Sequence, residues 1–158
     1  MPASMKMNKP KYEYIKSTQK TKFEDEDKKI NLIAGKFQNI EGPVKGHNVE
    51  PIYFDIELNE NKKIDLQVPE THNSLIYLLK GDLKIGSQNH KKINDSTLVL
   101  LEKGSELEII ANKKSKFLFI AGKPIGEPIA RGGPFVMNTK AEILQAIQDY
   151  NNGTFAKY

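Results

Sequence analysis

The chain contains no cysteine and no tryptophan, three histidines, and a single arginine, Arg131. Without cysteine there are no disulfides, no thiol chemistry and no zinc sites built on Cys ligands. A lone arginine argues against a nucleic-acid partner. Bidentate recognition of phosphate or guanine favours Arg, whereas Lys acts as a point charge. The formal net charge of +4 is therefore read as a solvated lysine surface. No apolar run approaches the length needed to span a bilayer, and the N-terminus lacks the apolar core of a secretory signal. The expected location is the cytoplasm, with no membrane partner. A Gly-x-Ser-x-Gly elbow and a Walker-type phosphate loop are both missing from the sequence.

What is present describes a globular protein. Its 158 residues are 38% hydrophobic and 28% charged, enough for one domain with a core. Residues 1–28 are lysine-rich, end in the acidic run Glu24-Asp25-Glu26-Asp27, and read as an arm laid on the surface. Short strands follow. Ile30 to Gly35 is the first. In Ile52-Tyr53-Phe54-Asp55-Ile56-Glu57-Leu58 every second side chain is apolar, so one face is buried. Ile64, Leu66 and Val68 alternate next, and Pro69 stops them. Leu75–Leu79 and Leu83–Gly86 flank Gly81-Asp82, which predicts a tight hairpin. Leu98–Leu101 is another strand. Leu107–Ile110 and Phe117–Gly122 flank a turn expected at Asn112-Lys113-Lys114. Even spacing of short strands predicts a sandwich or closed barrel. Asp55, Glu57, Glu106 and Glu108 alternate on strands and read as solvent-facing.

One helix is expected at the C-terminus. Thr139-x-x-Glu142 is a capping box, in which the hydroxyl accepts from the Glu142 amide and the carboxylate reaches back to Thr139. Ile143, Leu144, Ile147 and Tyr150 recur at helical spacing, and Asn151-Asn152-Gly153 supplies the stop. Before the helix stands Gly133-Pro134-Phe135-Val136-Met137-Asn138-Thr139. That run, with Glu127-Pro128 ahead of it and Gln145-Ala146-Ile147-x-Asp149-Tyr150-x-Asn152-Gly153 behind, resembles the C-terminal segment of the pirin family. Pirins are bicupins, and the resemblance is to the second barrel and the tail. It implies an all-β fold, a single cupin-like (RmlC-like jelly-roll) β-barrel or sandwich with one C-terminal α-helix. It also implies three segments: 1–28 as the connector that follows a first barrel, 29–130 as the barrel, and 131–158 as a plug and helix. On this reading the chain begins where the first cupin of a full-length relative would end, as a natural half or a truncated product.

Pirin-like proteins are associated with metal-dependent quercetin 2,3-dioxygenase activity and with a redox-sensitive role as partners of transcription factors. The resemblance places the metal ligands, three His and one Glu, in the first barrel, and none of those positions exists here. Among the residues themselves, His47, His72 and His90 form no His-x-His pair. His72 stands near where a first cupin ligand would fall, and Glu70 is the carboxylate close by. His72 and Glu70 with a distant partner are thus the candidate ligands for iron or another divalent transition metal, against a reading in which His72 is a strand-entry residue, His90 lies on a surface loop and His47 is solvated.

The leading expectation is a non-catalytic module with no cofactor and a structural or protein-binding role. In pirins the tail packs on the first barrel, so Pro134, Phe135, Val136, Met137, Ile143, Ile147 and Tyr150 are the candidate contact residues. They would dock a second copy, giving a homodimer, or a separate chain carrying the N-terminal cupin. Alternatively Phe135 and Met137 plug the chain's own barrel. The runner-up is a quercetin 2,3-dioxygenase, and the third reading is a carrier holding a small ligand inside the barrel.

Overall fold

The computed structural model describes residues 1–46, 48–87 and 90–155. Twelve strands and one helix follow in order: β1 (Thr21–Glu24), β2 (Lys28–Ala34), β3 (Lys36–Phe37), β4 (Ile40–Glu41), β5 (Ile52–Leu58), β6 (Lys63–Gln67), β7 (Asn73–Ile85), β8 (Lys91–Asn94), β9 (Thr97–Leu100), β10 (Glu106–Gly122), β11 (Ala130–Gly132), β12 (Phe135–Met137) and α1 (Lys140–Asn151). The backbone gathers into two compact units, Ile15–Pro124 and Met1–Tyr14 with Ile125–Tyr158. β1, within the segment expected as an arm, pairs antiparallel with β2.

The larger unit is an antiparallel sheet in the order β1-β2-β5-β10-β7-β8, with β6 also on β10 and β9 also on β7. Two long strands hold it together. The first half of β10 pairs β6 and the far half of β7, and its second half pairs β5 and the near half of β7. β9 follows the near half of β7, and β8 the far half. β7 and β10 thus run through both layers of the jelly roll, and the sheet folds where they bend.

That bend corrects two expectations. Gly81-Asp82 is no hairpin: β7 is one strand from Asn73 to Ile85. Asn112–Lys114 is no turn: it lies inside the 17-residue β10, where the register against β7 slips between Ala111 and Phe117. The inward side chains of β7 are Ile76 and Leu78 before the bend, Leu83 and Ile85 after it. The alternation changes phase because the strand passes from one layer to the other. A phase slip at a glycine carries the same signature in sequence as a two-residue turn.

The corner is closely fitted. Gly81 has φ +121°, and a Cβ there would collide with Ser115, lying 2.7 Å from its Cα. Ser115 is buried, its hydroxyl donating to the Lys113 carbonyl at 2.7 Å and accepting from the Asp82 amide at 3.1 Å. Asn112 Nδ2 donates to Asp82 Oδ1 at 2.6 Å, and Lys92 pairs with Asp82 Oδ2 at 3.0 Å. The Gly81 amide donates to Asp95 at the β8–β9 turn. The Asn112 hydrogen bond, followed by the charge of Lys92, holds the Asp82 carboxyl below the usual carboxylate range.

Inward positions of this unit are apolar apart from Ser115 and Asp82 at the corner and His72, and the rings of Phe23, Phe37, Phe54 and Phe119 form a chain with centroids 5.1, 6.3 and 6.2 Å apart. A packed apolar interior gives a polar ligand nothing to bond to, which weighs against the carrier reading.

Gly81→Ala should destabilise the fold by on the order of 2–3 kcal/mol or more, since both the positive φ and the Ser115 side oppose a Cβ. Urea unfolding followed by circular dichroism measures this. A change below about 0.5 kcal/mol would show that the corner tolerates what its geometry forbids.

Candidate partner-binding surface and the expected metal position

The tail builds its own small unit. β11 and β12 pair antiparallel around Gly133-Pro134, with Gly132 opposite Phe135. α1 packs on both strands. Gly132 permits the approach, because a Cβ there would run into Cγ2 of Ile143. The helix starts as its sequence predicts. Thr139 Oγ1 accepts from the Glu142 amide at 3.2 Å, and Glu142 Oε2 accepts from the Thr139 and Asn138 amides at 2.8 and 2.9 Å. It ends in a Schellman arrangement: the Thr154 amide donates to the Asp149 carbonyl at 2.8 Å and the Gly153 amide to Tyr150 at 3.1 Å. Asn138 Nδ2 donates to Glu127 Oε2 at 2.9 Å and to the Pro128 carbonyl at 3.0 Å. The first residues join in. The Ala3 amide donates to Glu127 at 2.7 Å, and Lys6 Nζ to the Val136 carbonyl at 2.8 Å.

The seven expected contact residues separate by burial. Ile143 is buried, together with Ala146, which the sequence reading passed over. Phe135 and Met137 are half-buried, and Phe135 packs edge-on against Tyr150 at 6.0 Å and beside Phe155 at 5.0 Å. Pro134 is exposed, as are Val136 (51%), Ile147 (37%) and Tyr150 (66%). Leu144, in the same predicted stripe, is 64% exposed. Beside them lies an open groove of about 220 Å³, floored by Met7, Met137, Ala146 and Phe155 and edged by Lys6, Glu142 and Asp149.

His72 is buried, with 3% of its surface exposed, and both ring nitrogens are engaged. Nε2 lies 2.9 Å from the Glu50 carbonyl and Nδ1 3.3 Å from Thr71 Oγ1. A carbonyl only accepts, so Nε2 carries the proton and the Nδ1 lone pair faces the Thr71 hydroxyl. Glu70 is exposed, and His90 is exposed. Among the described residues no three His, Asp or Glu side chains gather in a metal-holding group. The structure thus does not bring His72 and Glu70 together as ligands: the Nδ1 lone pair of His72 faces the Thr71 hydroxyl, Glu70 is exposed, and no companion ligand stands beside either among the described residues. His47 lies outside the described residues. Asp55 and Glu57, expected to face solvent, are half-buried and flank Lys116, at 3.6 and 3.3 Å. They form a cross-strand ion pair, not an acid/base pair. Among the described residues no helix is long and apolar enough to cross a membrane.

This is a cupin domain by architecture: a jelly-roll sheet closed over an apolar core. The solved structure of quercetin 2,3-dioxygenase from Acinetobacter baumannii superposes with a TM-score of 0.85 at 32% identity, over 99% of this chain and 55% of that one. A family model described as the Pirin C-terminal cupin domain matches residues 53–156, and the chain belongs to the pirin family. Pirin-1 of Arabidopsis thaliana is 34% identical over 157 residues, 96% of this chain and 54% of that protein. Pirin of Rattus norvegicus is 34% identical over 152 residues, 94% of this chain and 52% of that protein. The chain thus spans about half the length of these relatives.

Removing the cap should loosen the tail. Thr139→Ala is expected to cost about 1 kcal/mol of helix stability, read as faster amide exchange in residues 140–145. Glu142 gives a pH test. The Asn138 and Thr139 amides, then the Lys6 charge, lower its carboxyl below the usual range. A lowered folded-state value means the stabilisation is present above the ordinary carboxylate range, about pH 4, and is lost as pH falls through the folded value. The difference in melting between wild type and Glu142→Gln should therefore be largest at neutral pH and vanish in acid. A difference that persists in acid would assign the effect to packing.

Proposed function

We propose that this chain is a structural or protein-binding cupin module of the pirin type, metal-free and non-catalytic by itself, working in the cytoplasm. The observation that carries the reading is the apolar surface of the tail. Val136, Leu144, Ile147 and Tyr150 stand exposed on a unit whose own interior is already filled by Ile143 and Ala146. Aromatic and aliphatic side chains exposed together are the composition of an interface. The fitting occupants are a second copy of the chain or a separate chain carrying a metal-binding N-terminal cupin. Lysine-dominated charge offers no bidentate reading of nucleic acid, which speaks against that class of partner.

A second reading rests on likeness to the Acinetobacter baumannii quercetin 2,3-dioxygenase, of which this chain covers 55%. On that reading the chain would take part in a dioxygenase, and iron or another divalent transition metal would be held by residues outside it. His72 would serve that assembly by fixing the loops around Glu50 and Thr71 rather than as a ligand.

Elemental analysis of the purified, untagged chain, run beside a flavonol-turnover assay, tests the metal-free reading, and co-purification with a separate chain carrying an N-terminal cupin tests the second. The expected result is well under one transition-metal ion per chain and no turnover. One tightly held ion per chain, lost in His72→Ala, would overturn the proposal.

A further inference from the structure

We infer that the corner where β7 and β10 bend carries a binding pocket for a small, hydroxyl-bearing phosphate monoester. The pocket belongs wholly to the larger unit. Glu57, Lys80, Lys114, Ser115 and Lys116 line an open cavity of about 310 Å³, a size for a small molecule. Its shape comes from the bend. The register of β10 against β7 passes from Lys113 opposite Asp82 to Lys116 opposite Lys80, so Lys114 and Ser115 together face Gly81 alone. A bulge of two residues against one re-aims side chains. Here Ser115 goes inward and is buried, while Lys114 is exposed and Lys116 half-buried on either side of it.

The charges at this place are left open on one side. One register row crosses β2, β5, β10 and β7 as Lys29, Glu57, Lys116 and Lys80. The first three alternate in sign, and the fourth repeats the third. Like charges directly opposite each other on neighbouring strands destabilise a sheet. Lys116 has its carboxylates on the β5 side, Glu57 Oε1 at 3.3 Å and Asp55 Oδ2 at 3.6 Å. Among the described residues no carboxylate comes within ion-pair distance of Lys80 or Lys114. The hydrogen bond to Glu57, then the charge of Asp55, raises the Lys116 ammonium above its ordinary range. It keeps its proton, so the opposition to Lys80 is not relieved by neutralisation. A dianion seated among Lys80, Lys114 and Lys116 turns that repulsion into attraction.

The residue types set the ligand class. Lysine ammoniums are point charges with rotatable donors, which suits the tetrahedral, doubly charged end of a phosphate monoester. The planar fork that recognises carboxylates belongs to arginine, and the single arginine, Arg131, does not line this pocket. Glu57 bounds the far side. It repels a second anionic group and accepts from a hydroxyl, which favours a sugar phosphate over a polyphosphate or a nucleic-acid strand.

Titration of the isotope-labelled full chain with glycerol 3-phosphate, followed by amide shifts in NMR, tests this. Exposed and screened lysines give a dissociation constant on the order of 1 mM. Saturable shifts should gather at Leu79–Asp82 and Lys113–Phe117. Lys80→Gln with Lys114→Gln should weaken binding by at least about 10-fold. Both side chains are exposed, so the variant should fold as the wild type does by far-UV circular dichroism, with melting equal or higher once the opposed charge is gone. Lys36→Gln with Lys91→Gln removes the same charge from exposed positions on β3 and β8 and should change binding by less than about two-fold. Dimethyl phosphate, a singly charged diester, should bind at least about 5-fold more weakly than the monoester. The absence of saturable shifts up to about 20 times the expected constant overturns the inference. Equal losses in the two double variants, or equal binding of monoester and diester, overturn it as well.

Discussion

The close approach of Gly81 to Ser115 is the constraint on which the larger unit depends. Two strands must leave one layer and enter the other side by side, and bent strands cannot keep a regular hydrogen-bond ladder through the bend. β10 takes up the mismatch as register slips, and β7 as a glycine at positive φ. The groups freed from the ladder are buried and so must be paired. The Ser115 hydroxyl does this locally, accepting from the Asp82 amide and donating to the Lys113 carbonyl, while the Asp82 carboxylate is held by Asn112 and ties in β8 through Lys92. The neighbouring loop closes the same corner: the Asn61 amide donates to the Ala111 carbonyl, and the Ala111 amide to Lys62. A few short polar side chains thus let both layers share one apolar interior.

The tail follows the same logic on a smaller scale. Gly132 admits Ile143, and Glu142 satisfies amides that the helix start leaves free. A twelve-residue helix on a hairpin of two three-residue strands can bury only one narrow stripe. Ile143 and Ala146 fill it. The remaining apolar residues of the helix are left outside by geometry, not by lack of hydrophobicity.

Much of this was legible in the sequence. Local signals were read down to individual bonds, as in the Thr139–Glu142 box and the Gly153 stop, because a cap is decided by residues a few positions apart. The strands were read from alternation. Gly81-Asp82 misled because a strand that changes layer and a strand that reverses both show alternation, a glycine and a phase slip, and only the distant partner β10 distinguishes them. In the helix stripe only Ile143 is buried, because helical spacing shows which residues share a side, not how wide a surface the hairpin covers. Apolar side chains on both faces of some strands were also legible. Leu75–Leu79, Leu98–Leu101 and Phe117–Ala121 are largely apolar at both parities, whereas Ile52–Leu58 alternates cleanly. Continuous apolar runs belong to strands covered on both faces.

His72 shows how a position associated with chemistry serves structure. Glu50 is held at φ +46°, an uncommon conformation for a residue with a Cβ, and its carbonyl accepts from His72 Nε2. On the same stretch Lys103 Nζ donates to the carbonyls of Thr71 and His72 and to Asn73 Oδ1, at 3.2, 2.9 and 2.8 Å. The Lys123 amide donates to the Val49 carbonyl at 2.7 Å. Segments around residues 49, 72, 103 and 123 are therefore drawn together at one end of the sheet. An imidazole suits this because it bonds in two directions from a buried ring, donating at one nitrogen and accepting at the other. A metal at His72 would have to break the Thr71 bond to reach the only available lone pair, and it would release part of the tether that holds Glu50.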